Sequence, residues 1–301
     1  MHIAFIGYGE VGRILAEDLR AAGHSLRAFD LKLPGETGTA LRAHAEALGV
    51  HLAVSHAQAV GHAELVISAV TASQAVAVAE ACAAGLAPGT FFLDVNSASP
   101  GAKTRAAEVV NAAGGRYVEG AVMTSVPPHR IRVPLLLGGP DAAALQPLLD
   151  ELGFAASVHS EKIGLASATK MCRSVVIKGL EAMVIESFTS ARHYGVEDAV
   201  IASLQETFPG IDWEKQAAYF FQRVIEHGRR RSEEVREVAL TVREAGLAPH
   251  SAAGTAERQA HIADLADAGV FGTRGAPGFA RSADWRQEAD RILATARTNK
   301  P

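Results

Sequence analysis

From residue 2 to residue 139 short apolar runs alternate with amphipathic stretches, and this alternation leaves the chain few architectures to choose from. HIAFIG (2–7), SLRAFD (25–30), HLAV (51–54), ELVISAV (64–70), TFFLDVN (90–96), RYVEGAV (116–122) and PLLLGG (134–139) read as strands. Short continuous apolar runs of this kind fit strands covered on both faces. VGRILAEDLRAAG (11–23), ALRAHAEALG (40–49), SQAVAVAEACAAGL (73–86) and SPGAKTRAAEVVNAAGG (99–115) lie between them with a helical rhythm. The last opens with Ser99 as an N-cap and Pro100 at the first helical position. Strand and helix in turn predict an α/β fold: a parallel sheet, doubly wound by right-handed crossovers.

After residue 160 the strand runs stop. KIGLASATKMCRSVVIKGLEAMVIESFTSARHYG (162–195) predicts one long helix, with Ala166, Ala168, Met171, Val175, Val176, Leu180, Met183, Val184, Ile185 and Phe188 making it apolar on most sides. Such a helix is expected to be buried between masses of protein. Further helices are expected over 197–207, 211–226, 230–245 and 253–268, then a Gly-rich loop GVFGTRGAPGFARS (269–282) and a polar helix. The expected organisation is an α/β domain over 1–160 and an all-helical domain over 161–301 that begins with the long helix.

Apolar residues are 48% of the chain, charged residues 21%, and the net charge is −4, so the chain reads as globular with no nucleic-acid footprint. Arg229, Arg230 and Arg231, followed by Glu233 and Glu234, read as a solvated helix face. Two cysteines, Cys82 and Cys172, predict a reducing, cytoplasmic setting without disulfides. No basic segment precedes the first strand, no apolar run is long enough to span a membrane, and no histidine spacing suggests a metal.

GYGEVG (7–12) follows the first strand and opens the first helix. In that place Gly7 allows the tight turn, Gly9 lets backbone approach a pyrophosphate, and Gly12 lets the helix pack on the strand. The amides around Tyr8, Glu10, Val11 and Gly12 would then face the anion at a helix N-terminus. Asp30 ends the second strand 18 residues after Gly12, where an acidic side chain takes the ribose hydroxyls. A Rossmann-type dinucleotide site follows, with NAD favoured over NADP because Asp30 would repel a 2′-phosphate; Lys32 nearby keeps NADP open.

Hydride transfer to a dinucleotide also needs a group that moves the proton of the alcohol. GLASATKMCRS (164–174) surrounds Lys170 with small and apolar residues, and desolvation there would bring its pKa toward neutrality. Lys178, just over two turns on, raises the same question. His129, Arg130 and Arg132 on SVPPHRIRVP, and His227 with Arg230 in the helical half, are further candidates for an anionic substrate.

GYGEVG (7–12), DVNSASP (94–100), YVEGAVMTS (117–125) with LLLGG (135–139), and GLASATK (164–170) together resemble, in order and spacing, the motifs of the β-hydroxyacid dehydrogenase family, which includes 3-hydroxyisobutyrate and 6-phosphogluconate dehydrogenases. The resemblance implies an NAD-dependent oxidoreductase acting on a small hydroxy acid, with Lys170 as general acid/base and a homodimer joined through the helical domains. It also implies that Asn96 and Ser97 meet the nicotinamide and its ribose, Ser97 reaching substrate as well, and that Val70 and Thr71 form the cofactor loop after the fourth strand. Met123, Thr124 and Ser125 stand where the family binds substrate through Ser-Gly-Gly, and Ser174 where it usually has Asn, with Arg173 beside it. These departures put the usual substrate in doubt and suggest a separate branch of the superfamily with its own helical C-terminal domain. An imine or ketone reductase, against which Lys170 counts, and a non-catalytic NAD-binding protein remain as alternatives.

Overall fold

The computed structural model describes residues 1–277, 279 and 284–298; Gly278 and 280–282 of the expected Gly-rich loop lie outside the described residues. The chain divides into two compact units, Met1–Cys172 and Arg173–Pro301, and the division falls inside the long helix Leu165–Tyr194.

The first unit is built on an eight-stranded sheet of order β3-β2-β1-β4-β5-β6-β7-β8. The strands are β1 (His2–Ile6), β2 (Ser25–Phe29), β3 (His51–Leu52), β4 (Leu65–Ser68), β5 (Phe91–Asp94), β6 (Arg116–Val122), β7 (Leu135–Gly138) and β8 (Ala156–Ser160). Phe5, Ile6, Leu65, Val66, Ile67, Phe92 and Leu93 are buried on the central strands, as the continuous apolar runs require. The sheet is doubly wound, with two departures from expectation. β7 runs antiparallel to β6, pairing Glu119 with Gly138 and Val122 with Leu135. Residues 123–134 between those strands carry only the short helix Val126–His129 and a 3₁₀ turn, Arg130–Arg132, and the chain turns back on itself. β8 pairs parallel to β7 although its sequence, ASVHS, carries no apolar run, because it lies at the sheet edge with its central residues exposed.

In the second unit the helices are Glu197–Thr207, Trp213–Glu244, His250–Asp267 and Trp285–Thr298. The expected pair over 211–226 and 230–245 is one helix of 32 residues. Gly228, at the expected break, is helical and serves close packing: a Cβ there would lie 2.9 Å from the Gln259 carbonyl oxygen. Phe188, Phe221, Ile225, Ile262 and Trp285 centre this unit's core. The arginine run is not a uniform solvated face. Arg229 is exposed and paired with Asp264 and Asp267 at 2.6 and 2.7 Å, whereas Arg231 is buried against Glu181. The long helix is less enclosed than expected: Val176 and Met183, on one stripe, are each 60% exposed in the single chain. Among the described residues no helix is long and apolar enough to cross a membrane.

Candidate functional site

The glycine turn is shaped by three separate demands. Gly7 has φ +92°, and a Cβ on it would collide with the Ala69 carbonyl. A Cβ on Gly12 would collide with the Gly7 carbonyl. A Cβ on Gly9 would meet no protein atom within 4 Å, so packing does not explain that glycine. The helix Glu10–Ala21 starts on Gly9 with no side-chain cap. An open, uncapped helix N-terminus beside two sterically required glycines fits a dinucleotide pyrophosphate.

Asp30 is oriented by two backbone amides, from Tyr8 to Oδ2 and from Lys32 to Oδ1, both at 2.9 Å. The Tyr8 side chain turns inward rather than toward a ligand. Its hydroxyl lies 3.0 Å from His44 Nδ1, and burial pushes its pKa up to about 12. His44 Nε2 in turn lies 3.0 Å from Glu17 Oε1.

The ends of β4 and β5 are tied together by Asn96, whose Oδ1 accepts from the Val70 amide at 2.6 Å while Nδ2 donates to Ser68 Oγ at 3.0 Å. Thr71 is exposed just beyond. These are carboxyl ends of parallel strands, where ligands bind in open α/β sheets. One residue after Asn96, Ser97 Oγ accepts a hydrogen bond from Lys170 Nζ at 2.6 Å. The two residues the family resemblance singled out, 73 positions apart, are in contact within the first unit.

Beneath this loop lies a buried charged group that sequence reasoning missed. Lys103 Nζ is 2.9 Å from Asp94 Oδ1 and donates to the Asp94 carbonyl at 2.8 Å. Tyr117 donates its hydroxyl to Asp94 Oδ2 at 2.7 Å, and burial followed by the Asp94 charge raises its pKa. The Asn96 amide donates to Asp94 Oδ1 at 2.9 Å, so the ion pair fixes the loop that carries Ser97. A signal existed: Lys103 interrupts the buried stripe Ala102, Ala106, Ala107, Val110 of its helix, the same anomaly that marked Lys170.

Met123, Thr124 and Ser125 follow β6 at its carboxyl end. Arg130, a candidate for an anionic substrate, is engaged by protein carboxylates. It donates through Nε to Asp18 at 2.9 Å and through a terminal nitrogen to Glu17 at 2.7 Å. The Ile131 amide adds a bond to Asp18 at 3.1 Å. Arg130 takes φ +52°, unusual for a residue with a side chain, and the pairing holds it there. Hydrogen bonds from His44 and then Arg130 keep the Glu17 carboxyl below the usual carboxylate range.

Arg173, exposed, and Ser174, buried, belong to the second unit, as does Lys178. Lys178 Nζ is 2.5 Å from Glu234; burial lowers its pKa and Glu234 opposes that shift. Arg230 lies 3.9 Å from Glu234, and His227 lies 3.7 Å from Glu226.

Comparison with known proteins agrees with this anatomy. Residues 2–159 match the NAD binding domain of 6-phosphogluconate dehydrogenase, and residues 191–262 match a Domain of unknown function (DUF1932). The chain is 24% identical over 215 residues to the mitochondrial 3-hydroxyisobutyrate dehydrogenase of Drosophila melanogaster, covering 70% of this chain and 65% of that protein. A solved conserved hypothetical protein from Sinorhizobium meliloti 1021 is 35% identical with a TM-score of 0.76, over 98% of this chain and 96% of that one. Mycobacterium tuberculosis 3-hydroxyisobutyrate dehydrogenase, solved with L-serine, shares the fold at 19% identity and a TM-score of 0.68, over 97% and 98% of the two chains.

Proposed function

Because the chain belongs, through residues 2–159, to the family of the NAD binding domain of 6-phosphogluconate dehydrogenase, we propose that it is an NAD-dependent dehydrogenase of a small hydroxy acid with Lys170 as its general acid/base. The observation that carries the reading is the 2.6 Å contact of Lys170 Nζ with Ser97 Oγ, directly after the Asn96 tie at the strand ends. NAD supplies the hydride acceptor. The amides of the turn from Gly7 to Gly12 would hold its pyrophosphate, Asp30 a ribose, and Val70, Thr71 and Asn96 the nicotinamide end.

Lys170 in its neutral form takes the proton of the substrate hydroxyl as the carbon loses hydride, and returns it as an ammonium in the reverse direction. Ser97 accepts from Lys170, so its own hydroxyl hydrogen is left to point at the substrate oxygen. Met123, Thr124 and Ser125 would form the wall facing the rest of the acid, in place of the family's Ser-Gly-Gly. Turnover of hydroxy acids with NAD, compared between wild type and Lys170→Ala, tests the reading.

The preference for NAD rests on Asp30, whose carboxylate is pre-oriented by two amides. Asp30→Ala is expected to weaken NAD use by about tenfold, the equivalent of one charge-assisted hydrogen bond of about 1.5 kcal/mol, and to narrow the gap to NADP. Steady-state kinetics with both cofactors measure this; a wild type that already prefers NADP sinks the assignment.

The apolar stripe of Val176 and Met183 supports a homodimer in which a second copy covers it. Light scattering at micromolar concentration is expected to report twice the chain mass, and a monomer there removes the dimer.

A further inference from the structure

Glu119 is fully buried in the middle of β6, and its carboxylate is satisfied entirely by the start of the long helix. Oε1 accepts from the Gly164 amide at 2.8 Å and from the Ala166 amide at 3.0 Å, and Oε2 accepts from Ser167 Oγ at 2.7 Å. The partner strand makes room for it: a Cβ on Gly138, paired with Glu119 across β6 and β7, would collide with that carboxylate. A buried negative charge on the first amides of a helix is favoured by the helix dipole and by charge-assisted hydrogen bonds. Lys170 lies three residues beyond Ser167, on the next turn.

On its other side Glu119 pairs in register with Asp94 of β5. Asp94 holds the loop that presents Ser97, three residues on, through its bond to the Asn96 amide. Two adjacent strand carboxylates therefore fix the two partners of the Lys170–Ser97 contact, one each. Tyr117 and Lys103 are the other titratable groups at this pair, both engaged by Asp94.

We propose that Glu119 is the positioning residue of the Lys170 site: by anchoring Gly164, Ala166 and Ser167 it sets where the Lys170 ammonium stands against Ser97. The proposal rests on the reading of Lys170 for its catalytic consequence, but its geometric content can be measured without turnover. Glu119→Gln keeps the shape and replaces one acceptor oxygen by a donor that faces donors. Hydrogen exchange at the Gly164 and Ala166 amides should accelerate. The pH profile for acylation of Lys170 by an amine-reactive reagent, followed by mass spectrometry, should shift. With NAD and a hydroxy acid, kcat should fall by on the order of 10²-fold, the cost of a misplaced reacting group, with KM for NAD unchanged. Glu119→Asp, which restores the charge, should recover part of the kcat.

Faster exchange with an unaltered Lys170 profile would make Glu119 a helix cap and nothing more, and overturn the proposal. If Glu119→Gln does not fold, Ser167→Ala removes a single bond to the carboxylate and decides the matter: a smaller shift of the Lys170 profile in the same direction supports the proposal, and no shift overturns it. A shifted profile in Glu119→Gln together with full turnover in Lys170→Ala would leave the positioning intact and remove the proton-relay reading instead.

Discussion

Lys170→Ala is expected to lower kcat with NAD and a hydroxy acid by about 10²–10⁴-fold, the usual contribution of a general acid/base, while NAD still binds. The separation follows from where the parts stand. The glycine turn, Asp30 and the Val70 loop follow β1, β2 and β4, and the bonds that orient Asp30 and Val70 do not involve the lysine. Losing the ammonium removes a donor to Ser97, whose hydroxyl then loses its fixed orientation as well. The pH dependence of kcat/KM should change too, because the limb that reports deprotonation of the essential base disappears with it. Spectrophotometric rates and a calorimetric titration with NAD measure the two halves of the prediction. Turnover within a few-fold of wild type would take the proton-transfer role away from Lys170.

Lys103→Met is expected to cost about 3–5 kcal/mol of folding stability, read as a lowered urea midpoint. The ammonium is wholly buried and Asp94 is 1% exposed, so removing the cation strands a carboxylate with only the Tyr117 hydroxyl and the Asn96 amide. Removing both charges with Lys103→Met and Asp94→Asn should recover part of the loss, because an uncompensated buried charge costs more than an absent pair. A single-variant loss below about 1 kcal/mol would mean that water or a rearranged neighbour compensates Asp94. The single variant should also lower turnover, since Asp94 anchors the loop that presents Ser97.

The α/β class could be read from residues alone because β1, β4 and β5 are apolar runs with no polar interruption, which a doubly covered sheet accommodates. Strand direction could not be read that way: LLLGG looks the same in either sense, and the antiparallel pairing of β7 shows only in the register. β8 escaped because an edge strand of exposed residues carries no apolar signal. Gly228 looked like a helix break because the same residue type serves both ends of helices and close contacts between them. In the site, the glycine turn was legible since Gly7 and Gly12 each answer a steric demand of the fold, while Gly9 has no protein neighbour that requires it. The Lys170–Ser97 contact spans 73 residues, and no local pattern encodes it; motif order across the resemblance pointed to it. The pairing of Arg130 escaped because charge on a proline-rich loop says nothing about which acidic side chains lie opposite, here Glu17 and Asp18 on the first helix.

That last pairing bears on how the chain could be redesigned. Met123, Thr124 and Ser125 lie between two fixed supports, the ladder of β6 before them and the Arg130 bracket after them. Because the bracket is fastened by Glu17 and Asp18 and not by Asp30 or the glycine turn, a library varied at these three positions can test whether they face substrate while both supports stay in place. The same library varied at Arg130 would unfasten the frame along with the panel.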